Sequence, residues 1–216
     1  MAANEASNTG SRLPDGAVIR LFRFRPAHWE FDRILRTEML PDLRKLPGLI
    51  DVHVGRHGSS ELGDRVVASV WQDRDAMVRA MGESLSASTF HPEHMAGTTD
   101  QVLEVHELAF AIRFASPSAA TVLRLFRGSV RPGELELYIE ESRAGTISDT
   151  EAGRGPNAIY LAPVEADRFV TLSLWRSWDA IETATGGDVH RPIVTKDPRR
   201  IVEMAVTHYE VLPEIA

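Results

Sequence analysis

The chain contains no cysteine. That absence removes disulfides, thiolate catalysis and every cysteine-ligated zinc or iron–sulfur site, while leaving the redox compartment only weakly marked. A basic excess is missing too: 24 Lys and Arg against 31 Asp and Glu give a net charge of −7. No run of basic residues supplies the footprint that a phosphate backbone requires, so nucleic acid is not expected as a partner. No apolar run approaches the roughly 20 residues of a membrane-spanning helix, so no membrane contact is expected either. Met1 to Gly16 is small and polar, without the basic start and apolar centre of a signal peptide. It reads as a flexible tail on a cytoplasmic protein. Also absent are a Ser-His-Asp order, an HExxH arrangement and a phosphate-cradling loop: the glycines of Gly145 to Pro156 lack the lysine and the strand–turn–helix setting of a P-loop.

What is present is ordinary in bulk and unusual in arrangement. The 216 residues are 43% hydrophobic and 25% charged, enough for a sizeable core in one large or two small domains. Val18-Ile19-Arg20-Leu21-Phe22-Arg23 returns as Val122-Leu123-Arg124-Leu125-Phe126-Arg127, an offset of 104. Asp64-Arg65, Trp71 and Asp75-Ala76 recur as Asp167-Arg168, Trp175 and Asp179-Ala180, shifted by 103 or 104, and Gly82 with Gly186 extends the match. Glu107 and Glu210 close it. A repeat this long exceeds a solenoid or propeller module and implies two small domains or two halves of one pseudo-symmetric body.

Periodicity supplies the elements. From Ala17 to Arg25 the chain alternates, with Val18, Arg20, Phe22 and Phe24 on one face, as a strand does. A helix is expected from about His28 to Leu40, broken or kinked by Pro41 and punctuated by Pro47-Gly48. Ile50 to Arg56, Arg65 to Trp71 and Gln101 to Phe110 read as further strands, and a short helix begins near Asp73, capped by that residue. Strands from about Thr121, Asn157, Arg168 and Ile201, with helices after Pro132 and Trp178, repeat the pattern. The order is β-α-β-β-α-β in each copy, the ferredoxin-like unit, with strands 1 and 3 central and strand 4 beside strand 1. The expected division is a tail at 1–16, a first unit at 17–110, a linker at 111–120 and a second unit at 121–212. The copies differ by a Gly-rich insertion at Gly145 to Pro156 and a rewritten stretch from Gly186 to Arg200.

Leu40-Pro41, Leu46-Pro47-Gly48-Leu49 before a strand, then Val66-Val67-Ala68-Ser69-Val70-Trp71 and the Asp75-led helix, resemble the antibiotic biosynthesis monooxygenase family of the dimeric α/β-barrel superfamily. The resemblance covers residues 17 to 110 well and 121 to 212 less well. It implies an α+β protein in which two ferredoxin-like βαββαβ repeats form an intramolecular eight-stranded antiparallel barrel with helices outside, existing as a monomer or a homodimer. Such closure would also remove exposed sheet edges. The implied activity is oxygenation of an aromatic or polyketide-type small molecule without a protein-bound cofactor, in a pocket between sheet and helices.

Four residues are candidates for binding that substrate. Arg20 and Arg124 occupy equivalent points of strand 1, where a guanidinium matches a carboxylate or phenolate. Their alternative role is an ion pair with Glu107 or Glu210 on strand 4. Trp71 and Trp175 end the third strands and could stack a planar substrate or anchor packing. Phe90-His91-Pro92-Glu93-His94 is the densest polar cluster and resembles the phrase of haem-degrading members of the superfamily, which carries an axial-ligand role onto His94. That family's helix tryptophan and strand asparagine fall on Ser84 and near Arg20 here. His190 holds a comparable place in the second copy without a preceding phenylalanine, and Glu140-Glu141 reads as a solvated face. Three functions therefore compete: a cofactor-free monooxygenase-like enzyme, a haem-binding protein using His94, and a non-catalytic ligand-binding or regulatory module.

Overall fold

The computed structural model describes residues 11–82, 91–193 and 197–213. Its first half runs through β1 (Ser11–Arg12), β2 (Val18–Arg25), a helical segment, β3 (Leu49–Arg56), β4 (Arg65–Trp71), α3 (Arg74–Met81), α4 (Pro92–Met95) and β5 (Thr99–Glu107). The helical segment consists of α1 (Phe31–Ile34), a π-helical turn (Leu35–Met39) and α2 (Leu40–Leu43). After β6 (Phe110–Arg113) come β7 (Val122–Val130), α5 (Leu135–Glu151), β8 (Ala158–Glu165), β9 (Arg168–Trp175), α6 (Trp178–Thr185) and β10 (Ile201–Val211). Among the described residues no helix is long and apolar enough to cross a membrane.

All ten strands join one antiparallel sheet in the order β1-β6-β8-β9-β7-β10-β3-β4-β2-β5. The alternation of β2 and its counterpart β7 explains how that sheet is covered. Ile19 and Leu21 meet Leu123, Leu125, Tyr160 and Leu172 in a cluster shared by both halves. Val18, Phe22 and Phe24 point the other way, onto Phe31, Leu35, Met39 and Met77 of the first half's helices. Phe126 likewise packs with Phe169 and Tyr138 of α5. Each fully buried large apolar side chain contributes about 1.5–3 kcal/mol, and both faces of these strands collect it.

The expected eight-stranded closed barrel is not what the ladder shows. Its edges are β1 and β5, and the sheet curls until β5 lies beside β8 without pairing to it. The cause is a change of partner between β5 and β6, where Leu108 N–H donates to Ala17 O and Ala109 N–H to Leu161 O. β6 thereby takes the edge of β8 that a closing strand would use. The chain, not a hydrogen-bonded ladder, connects the two ends. Part of the expected linker at 111–120 is therefore strand, and Ser11–Arg12 of the expected tail pairs with it. At the other junction between halves, Glu210 and Val211 of β10 pair with Arg56 and Gly55. A Cβ on Gly55 would strike the Tyr209 side chain, so only glycine permits that approach.

Local chemistry sets the helix ends. Asp73 accepts the Ala76 N–H at 2.6 Å and caps α3, as its position implied, and Ser177 does the same for α6. Gly82 and Gly186, both at positive φ, end these two helices. The first helix continues past Pro41 to Leu43, because the π turn already carries the Leu40 N–H back to Leu35 O and the regular ladder is interrupted where proline enters. The Gly-rich insertion also differs from expectation: Gly145 lies within the 17-residue α5, and only its far end is loop.

The interior shared by the halves includes a cluster of charged side chains. Glu104 of β5 accepts from Arg127 of β7 at 2.9 Å and from Arg23 of β2 at 3.0 Å, with His106 at 3.4 Å. His106, Arg127 and Arg23 hold its carboxyl at about 2, against the opposing effect of burial. A depressed carboxyl stabilises the fold above its unfolded pKa, and that contribution disappears as pH falls through about 2. Glu104→Gln is expected to lower unfolding free energy by about 2 kcal/mol near neutral pH and to remove this acid dependence. Denaturant titrations at neutral pH and in acid check it; an unchanged midpoint at neutral pH would refute the assignment.

Candidate functional site

Two small cavities lie between sheet and helices, one in each half, and each is lined by one of the two repeated arginines. Arg20 extends from β2 over the ring of Phe22, with the guanidinium carbon 5.4 Å from the ring centre. It is 5% exposed and makes no ion pair or hydrogen bond with any described residue. The expected pairing with Glu107 does not form: in register Glu107 opposes Val18, whereas Arg20 opposes Ser69 and Val105. Burial lowers its pKa to about 10, so it remains a cation at neutral pH. The other described residues lining the cavity, about 30 Å³, are apolar, among them Phe22, Phe24, Leu35, Met39 and Met95. Leu35 and Met39 belong to the π turn, a geometry that recurs at functional sites.

Arg124 reproduces this arrangement in β7, 2% exposed and 5.5 Å over Phe126. Glu210 does not pair with it either, since that carboxylate accepts from Arg56 at 2.6 Å. Arg124 instead donates to the backbone carbonyl of Arg191 at 2.5 Å, while its Nε has no hydrogen-bond partner. Burial again brings the guanidinium to about 10. This cavity, about 50 Å³, is more polar: Tyr138, Ser142, Thr171 and Ser173 line it, and the buried Thr171 hydroxyl is also unpartnered. Burial raises the Tyr138 phenol well above its ordinary value. His208, opposite Arg124 in register, packs against the rings of Trp178 and His190 at 4.9 and 5.4 Å. Burial, then Arg124, depresses its pKa to about 4.

A third site escaped the sequence. Asp51 and His53 of β3, Arg113 of β6 and Tyr160 of β8 converge beside a cleft of about 510 Å³ that Asp51, His53 and Arg113 help line. Tyr160 O–H donates to Asp51 at 2.8 Å, and Arg113 Nε lies 3.5 Å from the same carboxylate. His53 Nε2 is 3.1 Å from Asp51 but off the hydrogen-bonding direction, and both it and the Arg113 guanidinium retain unpartnered buried nitrogens. Asp51 and His53, two apart on one strand face, were visible signals; Arg113 lay in a presumed linker and Tyr160 in the other half, so only the fold brings the four together.

The remaining candidates occupy other surroundings. Trp71 and Trp175 are both 0% exposed, donate to Ser69 and Ser173 hydroxyls at 3.0 and 2.8 Å, and line none of these cavities. They are placed as packing anchors with satisfied indoles. His94 lines no cavity either, its Nε2 lies 3.2 Å from Glu38, and the space beside its neighbour Met95 is the 30 Å³ cavity. No cavity large enough for a haem adjoins His94 among the described residues, and Phe90 and Ser84 lie outside them.

No family model and no curated protein matches the sequence. Solved structures do. A protein of Lactobacillus acidophilus NCFM described as a candidate monooxygenase aligns over 91% of this chain and 94% of its own, with a TM-score of 0.68 and 12% identity. An anthrone oxidase-like protein aligns over 92% of both chains, with a TM-score of 0.57 and 17% identity. The chlorite dismutase of Candidatus Nitrospira defluvii, in complex with imidazole, also covers 92% of each chain, at 0.55 and 12%. Identities this low establish a common fold and leave the chemistry to the individual site.

Two outcomes follow from these environments. Arg20→Met removes a buried cation that no described carboxylate offsets, so thermal unfolding of the ligand-free variant is expected at the same or a higher temperature; a marked loss would show a structural role. His208 binds a proton in the unfolded chain at about 6.5 but in the folded chain only at about 4, so stability is full above the former value and falls as pH drops toward the latter. His208→Leu should flatten stability across that interval, measurable by denaturant midpoints.

Proposed function

We propose that this chain is a small-molecule oxygenase-like enzyme that takes a flat, mainly apolar aromatic or polyketide-type substrate beneath the π turn, with Arg20 holding its phenolate or enolate oxygen. The observation that carries this reading is the buried Arg20 guanidinium, which faces an apolar cavity and has no carboxylate partner among the described residues. A buried cation left uncompensated is costly, and an anionic ligand is the simplest group that removes the cost. The lining is mostly apolar with one directional polar group, the usual composition of a small-molecule site. Methionines at 39, 81 and 95 give walls that adapt to a planar guest.

The same site explains how oxygenation could proceed on the substrate's own electrons. Among the described residues, Arg20 is the only ionisable side chain in the lining. Its charge favours the ionised phenol or enol, the released proton passing to water on binding. The resulting electron-rich carbanion combines with O₂ to give a substrate peroxide. Loss of water from that peroxide converts a CH₂ into a carbonyl: one oxygen atom stays on carbon, the other leaves in water, and the substrate carbon supplies the electrons. At about 30 Å³ the cavity admits little more than water, so entry requires the helical segment to move away from β2. Arg124 offers a second, more polar anchor. In this reading the two halves are duplicated copies of one family unit, joined on one chain where such units otherwise associate in pairs.

Oxygen uptake with anthrone and quinol substrates tests the proposal directly. Wild-type protein is expected to consume O₂ above autoxidation, and Arg20→Gln to reduce kcat/KM about 30-fold, as loss of a charge-assisted hydrogen bond does. Arg124→Gln should act less strongly. Absence of turnover across the panel removes the enzyme reading, and tight binding without oxygen uptake would identify a ligand-binding module instead.

A further inference from the structure

The polar cluster around α4 has an arrangement that neither haem binding nor the Arg20 cavity uses. His91, Glu93 and His94 each offer one donor atom within 4.8 Å of the others. His91 Nδ1 lies 3.0 Å from Glu93 Oε1, and His94 Nε2 lies 3.9 Å from that same oxygen. His94 Nε2 is also 3.2 Å from Glu38 Oε2, which reaches across from the π turn. Four ligands held 2.0–2.1 Å from a tetrahedral zinc ion are separated from one another by about 3.3 Å. The separations of 3.0, 3.2 and 3.9 Å lie near that edge, and Glu38, which stands beside His94 outside the mutual 4.8 Å group, has to rotate inward for a metal to be taken up.

The surroundings add a second argument. His91 Nε2, the ring nitrogen facing away from this centre, lies 3.4 Å from Asp42 Oδ2. A carboxylate on the far nitrogen of a ligating imidazole fixes its tautomer and orientation, a recurrent feature of metal sites. Asp42 is itself held by Lys45 at 2.7 Å. Three carboxylates, Glu38, Asp42 and Glu93, thus surround two imidazoles, and a dication would offset their mutual repulsion. Pro92 and the left-handed backbone of His91 start α4 so that both rings face the same side, stacked with centres 5.6 Å apart.

We propose that Glu38, His91, Glu93 and His94 form a binding site for a divalent first-row transition cation, with zinc as the best match, oriented by Asp42. Two imidazoles and two carboxylates suit zinc and its neighbours, whereas magnesium and calcium prefer all-oxygen sites. The cation would join α4 to the π turn. Both elements also line the Arg20 cavity, through Met95 on one side and Leu35 and Met39 on the other. The site stands whether or not that cavity receives a substrate.

Calorimetric titration of chelator-treated full-length protein with ZnCl₂ is the test, with cobalt(II) absorption as a report on geometry. One equivalent should bind, give tetrahedral cobalt bands and raise the unfolding temperature. His91→Asn and His94→Gln are each expected to weaken zinc at least about tenfold, and Asp42→Asn by about 10–100-fold if it orients His91. Magnesium and calcium should not compete. Circular dichroism on the metal-free variants separates lost ligation from lost folding. Failure to bind zinc at millimolar concentration would overturn the proposal, as would binding unaltered by both histidine substitutions, leaving two interhelical His–carboxylate pairs that dock α4.

Discussion

Strands β2 and β7 bury side chains on both faces, so each of their residues must be accommodated either in the interior that the halves share or under a layer of helices. Residues of odd number from Ile19 to Arg23 take the shared interior, and those of even number from Val18 to Phe24 take the helical side. An arginine at Arg20 therefore cannot reach water by a simple change of rotamer. On the shared side, Arg23 and Arg127 have Glu104 between them. On the helical side, Arg20 and Arg124 have aromatic rings, cavities and, for Arg124, one backbone carbonyl. The same strand thus carries one arginine whose charge is answered by a described residue and one whose charge no described residue answers.

That contrast separates stability from function more sharply than position in the chain does. A fold selected for stability alone would place a carboxylate or an apolar residue beside Arg20. The cavities instead hold a cation largely out of bulk water, where electrostatic interactions with a ligand are stronger than in water. Their small volume and the π turn over the first of them fit a site that forms around its ligand, with the helical segment as the adaptable wall.

Much of this was legible in residue order. Alternation located β2 and β7, the Asp73 cap located α3, and the paired phrases located the two arginines, because each signal is local and acts through backbone geometry. The exceptions are non-local. Arg20 was expected to find Glu107 because the two strands are neighbours, but the register places Glu107 opposite Val18. The helix crossing Pro41 depends on a π turn that no periodicity announces, and the Gly145 region is helical because α5 packs onto the sheet through Tyr138. The Asp51–Tyr160 contact spans the two halves, and the α4 cluster requires Glu38 to approach from another helix.

The change of partner at Leu108 and Ala109 has a consequence for assembly as well as for shape. Residues 99–113 lie along β2 with one end and along β8 with the other, so a single stretch of backbone completes both halves. A chain cut there would leave each fragment with an unsatisfied edge and would need to recover its neighbour by association. Joining the fragments covalently makes their effective concentration independent of expression level. One cavity can then be apolar and the other polar without either half having to preserve a surface that recognises itself.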